Sequence, residues 1–252
     1  MKTPYMCASF IRSLVVLLLF STIAYAQQKK NTVKDTLVYK QKYGLRLGAD
    51  ISKLARTFLE DNYTGFEIMG DYRLTKKIYI AGEIGNEEST LVNEVLNNTT
   101  KGSYFKAGID LNMYKNWLDM ENMIYSGFRV GASTFSQTLN RYDIYNVNNQ
   151  YWNEQFSVEQ GTEFKGLTAL WLEVQIGIKA ELFNNFFGGI NVQLKSLVTE
   201  TSPDNYENLY IPGFNRTFDS GRFGVGFGFN LAYLVPIFKK DKIVVQEKEA
   251  EE

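Results

Sequence analysis

The chain has 252 residues and a formal net charge of −1, so no overall field directs it toward nucleic acid or an acidic ligand. It has no histidine and a single cysteine, Cys7, which excludes Ser-His and Asp-His hydrolase chemistry and any His-ligated metal centre. Aromatic residues make up 15%, mostly Tyr and Phe, and that bias suits strands and membrane interfaces.

Residues 1–26 read as a secretory signal peptide. Lys2 and Arg12 precede the apolar run Leu14–Phe20, and Ala24-Tyr25-Ala26 forms an A-x-A cleavage site before Gln27. The run is too short for an anchoring helix, which needs about 20 apolar residues. Cleavage near Ala26 removes Cys7 and leaves no thiol for a disulfide or metal site. Residues 27–42 are polar and basic and read as a mobile periplasmic lead-in.

From Tyr43 onward the pattern has a period of two, the mark of strands with unlike faces. The first strand sets Tyr43, Leu45, Leu47, Ala49 and Ile51 against Gly44, Arg46, Gly48 and Asp50. A loop over 53–61 follows, with one helical turn from Leu54 to Leu59. The second strand sets Phe66, Ile68, Tyr72 and Leu74 against Glu67, Met69, Asp71 and Arg73; Thr75-Lys76-Lys77 turns into a third, with Ile78, Ile80 and Ile84 against Tyr79, Ala81 and Glu83. Residues 86–103 read as a long polar loop with a short helix over Leu91–Leu96. The fourth strand sets Phe105, Ala107, Ile109 and Leu111 against Lys106, Gly108, Asp110 and Asn112. The fifth sets Phe128, Val130 and Ala132 against Gly127, Arg129, Gly131 and Ser133. The longest loop spans 139–163. The sixth strand sets Leu170, Leu172, Val174, Ile176 and Ile178 against Trp171, Glu173, Gln175, Gly177, Lys179 and Glu181. Asn184-Asn185 is a turn, the seventh strand sets Ile190, Val192 and Leu194 against Asn191, Gln193 and Lys195, and 199–220 is another long loop. The eighth strand is the clearest: Phe223, Val225, Phe227, Phe229, Leu231 and Tyr233 on one face, Arg222, Gly224, Gly226, Gly228, Asn230 and Ala232 on the other. Residues 239–252 read as a charged periplasmic tail.

Eight strands with alternating long and short connections predict an all-β, eight-stranded antiparallel up-and-down transmembrane β-barrel over residues 43–238. A soluble lipocalin-like barrel has the same period with the faces reversed. The charges decide between them. The apolar rows hold none. The other rows hold Arg46, Arg73, Lys106, Arg129, Lys179, Lys195 and Arg222, balanced by Asp50, Glu67, Asp71, Glu83, Asp110, Glu173 and Glu181. A closed interior demands such balance because a buried unpaired charge is very costly. Glycine on the polar rows gives the long side chains room in a narrow lumen. On this reading Val225→Arg blocks assembly and Gly131→Ala is milder.

The interior carboxylates offer acid/base chemistry in principle, but a salt-bridge network with the seven cations is the simpler reading. The loops carry the binding potential: Tyr142, Tyr145, Tyr151, Trp152 and Phe156 in one, Tyr206, Tyr210 and Phe214 in another, as exposed aromatic contacts for an extracellular partner. No cofactor is expected. The expected partners are the outer-membrane bilayer and, through the last strand, the barrel-insertion machinery.

The stretches YTGFEIMGDYRLTKKIYIAGEIGNEE (Tyr63–Glu88), SYFKAGIDLNMYKN (Ser103–Asn116), YSGFRVGAS (Tyr125–Ser133) and FGVGFGFNLAYLVPIFKK (Phe223–Lys240) resemble a family of small outer-membrane barrels of Gram-negative, Bacteroidetes-type bacteria, the domain of unknown function 6048. The resemblance implies an outer-membrane barrel and brings no catalytic or ligand residues. The reading is therefore a structural or surface-interaction barrel with a charge-filled lumen, no open pore and no enzymatic activity. The alternatives are a transport barrel for a small or lipophilic ligand, and a histidine-free envelope enzyme.

Overall fold

A strand that crosses hydrocarbon must find every backbone partner within the protein, so a sheet there has to close on itself. The computed structural model does so. It describes residues 32–114, 121–144, 156–203, 207–216 and 221–249. Eight strands form one closed barrel: β1 (Thr32–Asp50), β2 (Tyr63–Arg73), β3 (Ile78–Val92), β4 (Leu96–Asn112), β5 (Met123–Ile144), β6 (Phe156–Phe183), β7 (Phe186–Glu200) and, after two short strands, β10 (Phe223–Glu249). Each pairs with its neighbour in sequence and β10 closes onto β1. The short strands β8 (Tyr210–Ile211) and β9 (Asn215–Arg216) make a separate small hairpin. The helix α1 (Ile51–Leu59) joins β1 to β2.

The chain divides into two compact units. Lys40–Lys240 is the barrel. The other comprises Met1–Tyr39 and Asp241–Glu252, and its described residues, 32–39 and 241–249, are β-strand. Strand therefore begins inside the segment read as a lead-in and continues through most of the segment read as a tail.

The faces are those of a membrane barrel. Leu47, Ile68, Ile84, Phe105, Val130, Val174, Val192 and Phe229 stand outward and exposed, and Val225 is 67% exposed. Arg46, Glu67, Glu83, Lys106, Arg129 and Glu173 point inward and are buried. The short turns and the medium connection lie at one end, the turn end, with Asn185 at φ 66 between β6 and β7. The long connections lie at the other, the loop end.

Three local expectations change. Residues 86–103 are two strands, not a loop with a helix. β3 and β4 pair without a break from Ile78↔Leu111 to Val92↔Asn97. Both faces are polar here, so no apolar row reveals the strand, and cross-strand hydroxyls and amides hold it: Thr90 and Thr99 Oγ1 lie 3.0 Å apart, and Asn86 Nδ2 donates to Ser103 Oγ at 2.9 Å. β5 and β6 likewise climb well past the apolar belt, to the pair Ile144↔Phe156. Finally, α1 starts earlier than the single turn expected, because Asp50 Oδ1 caps it by accepting from Ser52 N–H at 2.8 Å.

The lumen glycines make room for rings as well as charges. Gly131 pairs with Trp171, Gly177 with Tyr125 and Gly85 with Tyr104. A Cβ on Gly131 would fall 2.2 Å from the fully buried Trp171 indole. Gly131→Ala therefore overpacks the lumen, since a rigid ring in a closed ladder cannot yield that distance.

Candidate functional site

The lumen is the site the fold builds. Inward positions of β1–β7, together with Lys53 of α1, carry long side chains of both signs, and the narrow barrel forces them into contact. They form one chain of alternating charge along the axis. Lys53 lies 3.3 Å from Glu67, which lies 3.2 Å from Lys106. Lys106 lies 2.5 Å from Glu83, Glu83 3.2 Å from Arg129, and Arg129 2.7 Å from Asp110. Asp110 lies 3.2 Å from Lys179, Lys179 2.8 Å from Asp71, and Asp71 2.7 Å from Arg46. Glu173 adds a second acid, 4.0 Å from both Lys106 and Lys195. Low dielectric makes each pair strong and each member costly to leave alone.

Both ends of this chain are stoppered. At the turn end the Arg46 guanidinium sits 4.9 Å from the Tyr79 ring and 5.1 Å from the Phe187 ring, and Arg73 bonds Glu121 at 2.6 Å. At the loop end the β8–β9 hairpin, turned at Gly213 with φ +80, folds into the mouth. Its Ile211 and Phe214 are fully buried in a cluster with Tyr104, Phe135, Leu167, Trp171 and Leu197. Tyr210 Oη donates to Glu87 at 2.7 Å, Gly213 N–H donates to the same oxygen at 2.9 Å, and Lys53 bonds the other carboxylate oxygen. Glu87 stands above the apolar belt, since its outward neighbours are Asn86 and Glu88. Burial alone would raise its carboxyl; the Lys53 ammonium and these donors override that and hold it at about 2. Two lumen cavities, one beside Arg129 and Lys179 and one beside Arg46 and Arg73, measure about 10 Å³ each, space for one water at most.

The structure places Arg46, Asp50, Glu67, Asp71, Arg73, Glu83, Lys106, Asp110, Arg129, Glu173, Lys179 and Lys195 buried in the lumen. Glu181 lies at the turn end, partly buried, accepting from Asn185 N–H at 3.0 Å and facing Lys42 at 3.6 Å. Arg222 corrects the expectation. It has lumen parity, but β10 begins one residue later, so it is exposed off the strand end with Nη1 3.4 Å from the Val198 carbonyl. Lys53 and Glu87 were missed because both fell in segments read as loop. Glu87 continues the inward row Tyr79–Ala81–Glu83, and that parity was the available signal.

The loop aromatics divide. Tyr210 and Phe214 are not surface contacts; they are buried in the mouth because the loop doubles back. Tyr142 is partly exposed on β5, paired with Leu96 and Val158. Phe156 opens β6 opposite Ile144. Tyr145, Tyr151, Trp152 and Tyr206 lie outside the described residues.

One sector of the wall is built differently. β1 runs against β10 through Gly48, which packs on the backbone of Leu231 and Ala232, and against β2 as far as Ala49↔Ile68. There the chain leaves the sheet as α1. Above this height β10 and β2 flank a helix instead of a strand, and side chains take the place of the ladder. Phe229 N–H donates to Asp50 Oδ1 at 3.3 Å, and Asn215 Nδ2 donates to the Val225 carbonyl at 3.3 Å. Thr57 Oγ1 accepts from Gly65 N–H at 2.9 Å and lies 3.1 Å from the Gly65 carbonyl. The helix is amphipathic in the required sense: Ile51, Leu54, Phe58 and Leu59 are exposed outward, while Ser52 is buried and Lys53 reaches into the lumen.

Residues 6–240 match the family model described as Domain of unknown function (DUF6048). The chain belongs to that family. The match spans the whole of the barrel unit, so the belt, the lumen chain and the helix-for-strand sector are features of a family member's barrel. No curated protein matches the chain. Among solved structures, Ail, the attachment invasion locus protein of Yersinia pestis, is similar at 9% identity with a TM-score of 0.35, covering 77% of this chain and 97% of that chain.

Proposed function

We propose that this member of the family is a small outer-membrane β-barrel of structural or surface-interaction type, with a charge-sealed lumen and no open pore. The alternating chain from Lys53 to Arg46 carries the reading. Its members pair in charge with one another and fill the bore, and the β8–β9 hairpin stoppers the mouth. An eight-stranded barrel has room for little else. The outward apolar belt suits a bilayer, and the signal-like segment ending near Ala26 suits Sec export to the outer membrane, with β10 as the strand read by the insertion machinery. The loop end, with Tyr142 on β5, is then the face for an extracellular partner. The lumen carboxylates of the chain each face a cation, and the reading assigns no catalysis.

Single-channel recording of the full protein in planar bilayers tests this. We expect a folded, heat-modifiable barrel that gives no stable conductance of porin size. Stable porin-sized steps from protein shown to be folded would overturn the sealed lumen.

A further inference from the structure

Behind α1 lies a cavity of about 80 Å³ unlike the two in the lumen. It is lined by Lys53 and Arg56 from the helix, Gln193 and Lys195 from β7, and Val225 and Phe227 from β10. Val225 and Phe227 belong to the outward belt and are 67% and 62% exposed. The cavity thus lies at the sector where a helix replaces a strand, with cations on its inner side and bilayer-facing side chains at its rim. Its volume is enough for a tetrahedral oxyanion.

Two of the three cations, Lys195 and Arg56, stand apart from the central chain, and the third, Lys53, is its first member. Lys195 Nζ donates to the Gly213 carbonyl at 2.8 Å, and Glu173 is 4.0 Å away. An ammonium has three donors, and a carbonyl does not neutralise it. Arg56 is half-exposed, bonds Glu60 on its own helix at 2.9 Å and stacks 3.8 Å from the Tyr63 ring, which fixes its guanidinium at the opening. Lys53 is turned to Glu67 and Glu87. Among the described residues, no carboxylate lines the cavity. A cationic recess that opens past lipid-facing Val and Phe, under an amphipathic helix held by side-chain hydrogen bonds, fits a ligand with an anionic head and a greasy body.

We propose that this recess is a binding site for the phosphate headgroup of an outer-leaflet amphiphile, reached laterally beside α1, with the acyl part against Val225 and Phe227. Lys195 and Arg56 take the phosphate oxygens as charge-assisted donors, Gln193 adds a neutral one, and Gly226 keeps the space open. A Cβ on Gly226 would stand 2.7 Å from Gln193 Oε1 and 3.1 Å from Lys195 Nζ, inside the recess. The proposal rests on the outer-membrane reading, so the test first establishes folding by heat-modifiable mobility in detergent, independently of lipid.

Folded full-length protein in dodecyl maltoside is titrated calorimetrically with diphosphoryl lipid A, its dephosphorylated form and phosphatidylcholine, and inorganic phosphate serves as competitor. We expect saturable binding of the phosphorylated lipid at least tenfold tighter than the other two, with inorganic phosphate failing to displace it at equal concentration. Lys195→Met and Arg56→Gln each weaken binding about tenfold, and Gly226→Val abolishes it with every cation retained. Arg56 is half-exposed on the helix, so Arg56→Gln leaves a folded variant to measure if the others do not fold. Equal affinity for the dephosphorylated lipid, displacement by inorganic phosphate at equal concentration, or unchanged affinity in the folded variants would overturn the site.

Discussion

The β5–β6 wall and the β10–α1–β2 wall solve one problem in two ways. The first is continuous backbone ladder, from Met123↔Lys179 to Ile144↔Phe156, interrupted only by bulges near Phe135 and Leu139. Backbone groups there are satisfied cooperatively, and Trp171 over Gly131 packs the inner face. The second loses its middle strand at Asp50 and keeps its edges quiet with three side chains, Asp50, Asn215 and Thr57. A ladder is removed only by separating whole strands. A side-chain cap is removed by rotating one torsion. The difference teaches that a closed barrel can carry a locally weak wall, provided its lumen is tied across. Glu67 on β2 does this tying, since it meets both Lys53 on α1 and Lys106 on β4.

Removing the tie should have the largest effect because it breaks both walls at once. Lys106→Met leaves Glu67, Glu83 and Glu173 buried without their shared cation, and we expect a loss of about 3–5 kcal/mol, typical of breaking a buried pair, read as a failure to reach the heat-resistant form. Gly131→Ala damages only the ladder side, by driving a methyl into the Trp171 indole. About 1–3 kcal/mol of overpacking should appear as a lowered urea midpoint while α1 exchanges amide hydrogens as before. On the helix side, Asp50→Ala removes both the cap of α1 and the partner of Phe229 N–H. A cap costs about 0.5–2 kcal/mol, so hydrogen exchange should rise over 51–59 and 225–229 and stay unchanged in β5 and β6; a uniform rise would mean the walls are not distinct. Smallest is the response to acid. Glu87 is held below its unfolded value, so its contribution is complete above about pH 4.5 and is lost as pH falls toward 2. Near pH 2 the β8–β9 hairpin should loosen first, seen as rising tryptophan emission wavelength from Trp171, and Glu87→Gln should remove that pH step.

Much of the barrel was legible because a bilayer leaves a strong mark. Phe223 to Tyr233 alternates so regularly that strand, face and environment follow together, and opposite charges on the inward rows announce a closed interior. The mark fades where the bilayer ends. Residues 86–103 have no apolar row, and neither do the upper parts of β5 and β6, so their strands passed for loop. Arg222 had the parity of a lumen residue but not the strand beneath it. Tyr210 and Phe214 looked like surface aromatics because nothing local says that a loop turns back into its own barrel.

Period and charge balance, properties of each strand taken alone, determined that this chain is an eight-stranded barrel with greasy walls and an ionised bore, since both are set by the solvent each face must meet. Which cation meets which carboxylate, that Glu87 anchors the mouth through Lys53 and Tyr210, and that a helix completes the wall beside β10 were decided only by tertiary structure. These depend on the stagger between strands distant in sequence, and a period of two carries no record of stagger.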